Sequence, residues 1–290
     1  MELLQLKYFV IVAHHEHMTR AAEELRIAQP ALSKTIGTLE KSLGVKLFDR
    51  EGKYIKLNAH GRSFLKCAEQ ALTILNNGQR ELKDLTGEST EAIRLTFTVA
   101  SHIIPELLSA FRQQHPQITF RLQQNFHGFG QPDFDLHMTS LPHHFSVDLE
   151  SVPLLTEEIL LAVPLHHPLA GRRSIKLEEA AQEAFISLKR GTDLRGLTDH
   201  LCSLAGFVPN IMFESDNPSM VRGLIREGLG IAFFPSVTWG GSIGDSVALL
   251  SIEEPVCKRT IGMLWSTNRY LTHSTRLFKD FAVHYFKQPQ

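Results

Sequence analysis

Gln29-Pro30-Ala31-Leu32-Ser33-Lys34-Thr35-Ile36-Gly37-Thr38-Leu39-Glu40-Lys41-Ser42-Leu43-Gly44 decides the fold of the amino-terminal region. Leu32, Ile36, Leu39 and Leu43 recur at spacings of 4, 3 and 4, which at about 100° per residue is one stripe of a helix. Pro30 sits at the first helical position, where its missing N–H costs nothing. Gly44 ends the run in the manner of a helix C-terminus. The opposite face holds Pro30, Lys34, Gly37 and Lys41. It is small, polar and basic, as a helix entering a DNA major groove must be. A merely solvated face has the same composition, so the flanking sequence has to decide.

Upstream, Leu6, Phe9, Val10 and Ala13 mark one face of a first helix, Leu3 to Ala13. Thr19 to Leu25 reads as a short second helix with Thr19 as its cap and small alanines for close packing. Arg26-Ile27-Ala28 makes the turn into the third helix. Downstream, residues 45–50 and 54–57 form two short strands around Glu51-Gly52-Lys53, a β-hairpin wing. Its Arg50, Lys53 and Lys56 are placed to meet phosphate or a minor groove. A long helix then opens at Asn58 or Ala59 and runs to about Leu85, with a heptad seam of Leu65, Ala68, Leu72, Leu75, Gln79 and Leu82. It is too long for the small winged domain to bury, and a partner helix is the natural cover. Packing on the chain's own second domain is the alternative.

Residues 1 to about 62 resemble the LysR-type regulators. The likeness rests on Phe9, Thr19, Ala21-Ala22, Leu25, Gln29-Pro30-Ala31-Leu32-Ser33, Ile36, Leu39-Glu40, Leu43-Gly44, Leu47-Phe48-Asp49-Arg50 and Gly61. The resemblance implies a bacterial transcriptional regulator whose third helix reads the major groove. It implies DNA contact by Gln29, Pro30, Ser33, Lys34 and Arg50, with Thr19 on the second helix, and Lys53 on the wing joins that set. Asn58 stands where the family usually has Thr, and Asn can still cap a helix.

Beyond a polar hinge at Thr86 to Thr90 the pattern changes to alternating strand and helix. Strands are expected at 94–99, 118–122, 158–163, 185–188, 211–213 and 231–234. Helices are expected at 104–114, 177–182, 194–205 and 219–227. This is an α/β domain with a largely parallel sheet, which would bind ligands where strands run into helix N-termini. Ser101-His102, Gly191-Thr192-Asp193 and Asp216-Asn217 occupy such places. Their hydroxyl and amide groups suit a small carboxylate or other anion, although each is also an ordinary helix cap. Pro105, Leu107, Leu108, Phe111, Pro116, Gly228-Leu229-Gly230-Ile231 and Pro235 are similar to the family's effector domain. That resemblance implies two subdomains like those of a periplasmic binding protein, with a ligand cleft between them. It makes Ser101, His102, Thr192, Asp216 and Asn217 the effector-binding candidates. The expected organisation is a winged helix-turn-helix at 1–58, a linker and dimerisation helix at 59–85, a hinge at 86–92 and the effector domain at 93–290. One departure is the short connection from Asn125 to Pro132, where the family usually fits a helix.

Composition fits that organisation. The chain has 290 residues, 43% apolar and 21% charged, room for two domains with real cores. Residues 1–66 carry 11 Lys or Arg against 7 Asp or Glu, a net of +4, and the rest carry 19 against 24, a net of −5. A basic small segment joined to an acidic larger one suits a DNA reader attached to a different module. Cys67, Cys202 and Cys257 lie far apart and read as free thiols of a reducing cytoplasm. No apolar run reaches the roughly 18 residues of a membrane span. Among 15 histidines, the groups His14, His15 and His17, His143-His144, and His166-His167 lack ligand spacing, so no metal is expected. No cofactor motif or catalytic constellation is present, and a small-molecule effector is the expected ligand. The expected partners are double-stranded DNA bearing an interrupted palindrome, the effector, and further copies of the chain as a dimer or tetramer. Two alternatives stay open: a solute-binding or enzymatic α/β protein with an assembly domain, and a ligand-independent architectural DNA binder.

Overall fold

A computed structural model of the chain describes residues 1–290 except 52–53, 88–91, 125–133, 143–148, 241–245 and 288–290, and leaves out the side chains of residues 50, 51 and 54. Two compact units result. The first is built on Met1–Ser89 and takes in the distant segment Ser266–His273, and the second holds most of the remainder.

The first unit starts with helices α1 (Leu3–His15), α2 (Met18–Leu25) and α3 (Gln29–Leu43). Phe9, Val12, Ala21, Leu32 and Leu39 form its core, all fully excluded from solvent. Two sequence expectations are corrected here. The cap of α2 is His17, whose Nδ1 accepts from Arg20 N at 3.4 Å, so Thr19 lies inside the first turn. Pro30 is the second helical residue, because Ala28 caps α3 and Gln29 begins it. Strands β1 (Phe48–Glu51) and β2 (Tyr54–Leu57) pair antiparallel from Phe48↔Leu57 to Glu51↔Tyr54. The hairpin turn falls on residues 52–53, outside the described residues.

Helix α4 (Ala59–Leu85) begins at an Asn58 side chain that accepts from Gly61 N at 2.9 Å. Its seam divides. Leu65, Ala68 and Leu72 pack on the winged domain's own core, whereas Leu75 and Leu82 stay 50% and 65% exposed. The last turns of α4 are clasped by the segment 266–273. Asn77 Oδ1 accepts from Tyr270 N at 2.9 Å, and Arg80 Nη1 donates to Tyr270 O at 3.3 Å. Asp84 Oδ2 accepts both the Tyr270 hydroxyl at 3.0 Å and His273 N at 2.8 Å.

The second unit contains, in chain order, β3 (Ile93–Phe97), α5 (Ile104–Gln114), β4 (Phe120–Gln124), β5 (Leu136–Leu141), β6 (Leu149–Pro164), β7 (Ser174–Ile175), a 3₁₀ turn (Leu177–Ala180), β8 (Ala184–Leu188), α6 (Asp193–Leu204), β9 (Asn210–Ser215), α7 (Pro218–Arg226), β10 (Ala232–Pro235), β11 (Val247–Ile252), β12 (Lys258–Ser266) and α8 (His273–Tyr285). The expectation of a largely parallel sheet holds only in part: β8 and β9 pair in parallel as a separate two-stranded sheet, and the larger sheet is mixed. Along the order β4-β3-β5-β12-β6-β11-β7, the β3 pairs and β11·β7 are parallel, but β5·β12, β6·β10 and β6·β11 are antiparallel. Strands covered on both faces have the same apolar runs in either direction, so composition did not distinguish them.

Two cores define two subdomains. One gathers Leu95, Leu107, Phe111, Met138, Met263 and Phe278. The other gathers Leu161, Ile175, Phe185, Leu201, Ile225 and Phe233. The long strand β6 contributes Leu154 to the first and Leu161 to the second. The short connection at Asn125 to Pro132 lies outside the described residues.

Candidate nucleic-acid interface and ligand cleft

Helix α3 turns Leu32, Ile36 and Leu39 into the core and leaves Gln29, Pro30 and Lys34 exposed, with Ser33 half-buried beside them. These four residues fall at i, i+1, i+4 and i+5, so the first two turns present them on one face. Thr19 is exposed near the start of α2. The tight α2–α3 turn depends on Arg26, which takes a left-handed φ of 54°.

The wing is fixed at its base by three side chains, of which the sequence analysis named only Glu40 and gave it no role. Glu40, 8% exposed, accepts Lys46 Nζ at 2.6 Å and Leu47 N at 2.9 Å, tying α3 to the approach of β1. Glu16 accepts Leu57 N at 2.8 Å, and Arg62 donates to Leu57 O at 2.6 Å. A buried acid at the end of a basic helix was the available clue, since such a group is retained only with partners. The side chain of Arg50 and all of Lys53 lie outside the described residues.

In the second unit a small cavity of about 30 Å³ opens at the ends of β3 and β8, where the two subdomains meet. Thr98, Ser101 and Gln124 line it from the first subdomain, Thr192, Asp193 and Asp216 from the second, and Arg259 from the start of β12. Ser101, Thr192 and Asp216 are therefore brought together. His102 is exposed and outside the lining, and Asn217 is occupied as the cap of α7, accepting Ser219 N at 2.8 Å. Ala100, also in the wall, holds φ at 64° while 4% exposed. That conformation costs a non-glycine residue roughly 1 kcal/mol and concentrates at ligand sites.

Sequence reasoning passed over Thr98, Thr139 and the role of Asp193. Asp193 Oδ2 lies 3.0 Å from Thr98 Oγ1 and 3.1 Å from Thr139 Oγ1, and the two hydroxyls are 2.9 Å apart. Beneath the cavity, Arg259 donates from Nε to Glu157 at 2.7 Å and from Nη2 to Thr238 Oγ1 at 2.6 Å. Glu157 also accepts Val237 N at 2.9 Å and Thr238 N at 2.8 Å. A larger, open groove of about 570 Å³ runs between α6 and β9. Its buried cation Arg195 is already spent on Asp199 and Glu214, at 2.9 and 2.7 Å. Burial pushes the Cys202 and Cys257 thiols up to about 12, so neither is a ready nucleophile. Among the described residues no three His, Cys, Asp or Glu gather as a metal site, and no helix is long and apolar enough to cross a membrane.

A winged helix-turn-helix joined through a long helix to a two-subdomain α/β module with a cleft defines the class of ligand-responsive DNA-binding regulators. Residues 3–62 match the bacterial regulatory helix-turn-helix protein, lysR family, and residues 87–287 match the LysR substrate binding domain. The chain belongs to the LysR family of transcriptional regulators. It is 36% identical over 298 residues to the uncharacterized HTH-type transcriptional regulator YybE of Bacillus subtilis, covering 99% of this chain and 100% of the relative. It is 32% identical over 296 residues to the transcriptional dual regulator GltC of the same organism, covering 99% and 98%. Among solved structures, full-length OxyR C199D from Pseudomonas aeruginosa superposes with a TM-score of 0.70 at 23% identity, covering 97% of this chain and 94% of that one. The effector-binding domain of QuiR in complex with shikimate has a TM-score of 0.60 at 30% identity, covering 68% of this chain and 97% of its own. The chain is accordingly a DNA-binding regulator with an effector domain, and its relatives are regulators.

Proposed function

We propose that this regulator reads an interrupted palindrome in the cytoplasm as a two-fold pair, with pairs assembling into a tetramer, and that a small acid bound in the cleft changes how it holds DNA. It acts as a binder and not as a catalyst. The observation that carries the reading is the face of α3 formed by Gln29, Pro30, Ser33 and Lys34, presented beside a wing fixed by Glu16, Glu40 and Arg62. Such a face enters the major groove while Lys34 at its edge, with Thr19, Arg50 and Lys53, meets backbone phosphates. The exposed Leu75 and Leu82 of α4 supply the seam for a second copy. Ser101, Thr192 and Asp216, joined by Thr98, are the effector residues. His102 and Asn217 leave that set because they stand outside the cavity.

Ligand entry redistributes open and closed arrangements of the cleft, and the linker helices carry the change to the spacing of two half-sites. The test is selection of sites from a random duplex pool by the full-length chain, repeated with Lys34→Ala and Arg50→Ala. Enrichment of an interrupted palindrome, weakened by both substitutions and by salt, supports the reading. Absence of enrichment at every salt concentration overturns it in favour of a solute-binding protein.

A further inference from the structure

The cleft is already occupied by the protein itself. A cavity of about 30 Å³ has room for a single water, so any effector must first move something. The group in the way is the Asp193 carboxylate. It stands on the first turn of α6 in one subdomain and faces two hydroxyls of the other: Thr98, just past β3, and Thr139, on β5. Three oxygens are mutually within 3.1 Å while the two threonines have only two hydroxyl hydrogens. With both hydrogens inside the triangle only one can lie between the two hydroxyls, which leaves at least one on the carboxylate.

From this geometry we infer that Asp193 is an internal ligand, holding the anion position of the cleft in the effector-free protein. The effector is an acid whose carboxylate takes the place of the Asp193 carboxylate on Thr98 and Thr139. The inference rests on the acid-effector reading given above. Two ionised carboxylates on one pair of hydroxyls repel each other, so one must leave or take up a proton. Asp216 on the same wall adds little to that repulsion, because Lys189 Nζ stands 3.5 Å from its carboxylate. Among the described residues of the cavity wall the one cation, Arg259, is committed to the fully buried Glu157 and does not offset it. Displacement of Asp193 therefore couples entry of the acid to release of a side-chain contact between the two subdomains.

The test compares the full-length wild type with Asp193→Ala, using acetate as the probe and chloride at matched ionic strength as the control. Binding is followed by the fluorescence of Trp239, which lines the cavity, and by the thermal midpoint. Amide hydrogen exchange of residues 188–194 is measured without any ligand. The expected result is faster exchange in Asp193→Ala and acetate binding at least about tenfold tighter than in wild type. Adding Thr98→Val should abolish the gain. The near-isosteric Asp193→Asn, which keeps the side-chain volume, should show the same ordering if the alanine variant folds poorly. Unchanged exchange, or equal acetate affinity in all variants, overturns the inference. Faster exchange with no acetate binding by any variant overturns the acid-effector reading on which it rests.

Discussion

Arg259 Nε lies 2.7 Å from Glu157 Oε1, and that carboxylate is fully excluded from solvent. The pair joins β6 to β12, and Thr238 adds a hydroxyl and an amide to the same acid. Removing one member of such a pair leaves the other charge buried and unmatched, which costs about 3–5 kcal/mol. Glu157→Ala should lose stability on that scale in urea denaturation. Replacing both, as Glu157→Gln with Arg259→Met, should restore part of the loss. A cost below about 1 kcal/mol for Glu157→Ala would show that the pair is solvated in solution.

Gly61 and Gly78 both lie inside α4 and should respond to alanine with opposite signs. A Cβ on Gly61 would collide with the Leu47 carbonyl oxygen, whereas one on Gly78 meets nothing within 4 Å. Gly78→Ala should therefore gain the ordinary helix increment of about 1 kcal/mol. Gly61→Ala should lose about 1–3 kcal/mol by overpacking against backbone. Thermal midpoints of the two variants decide the matter, and equal effects would contradict the close approach of α4 to the wing.

Tyr270 and Asp84 clasp the last turns of α4. Tyr270→Phe removes one hydroxyl bond and should cost about 0.5–1.5 kcal/mol. Asp84→Ala removes the acceptor of both the Tyr270 hydroxyl and the His273 amide and should cost more. Amide exchange at residues 268–273 should rise in both, most in Asp84→Ala.

The three cysteines should separate by reactivity. Cys67 is exposed, while Cys202 and Cys257 are buried with thiols pushed up to about 12 from an ordinary 9.0. At pH 8 a thiol reagent should titrate one group quickly in the native protein and three in the unfolded chain. Because the folded values lie above the unfolded ones, the two buried thiols contribute stability that is intact below pH 9.0 and lost progressively as pH rises toward about 12. Cys202→Ala with Cys257→Ala should flatten that alkaline decline.

On DNA, Lys34→Ala should weaken binding about evenly across sequences and lower the slope of log affinity against log salt by about 1, as loss of one phosphate contact does. An unchanged slope with altered base preference would instead assign Lys34 to a base edge.

The amino-terminal unit was legible in the sequence because its determinants are local. The stripe Leu32, Ile36, Leu39 sets the buried face of α3, Gly44 ends the helix, and Asn58 starts α4; each acts over a few residues. The same locality explains the small errors there. Thr19 and His17 are both able to cap, and only the backbone chooses His17. In the second unit most strands and helices were recognisable, but strand direction was not, since an apolar run in a covered sheet has no polarity. The cleft was half-legible: Ser101, Thr192 and Asp216 were found as turn residues, whereas Thr98 and Thr139 lie 95 and 54 positions from Asp193. A cap obeys its neighbours in sequence, but a carboxylate that closes on two distant hydroxyls obeys only the packing that brings β3, β5 and α6 together.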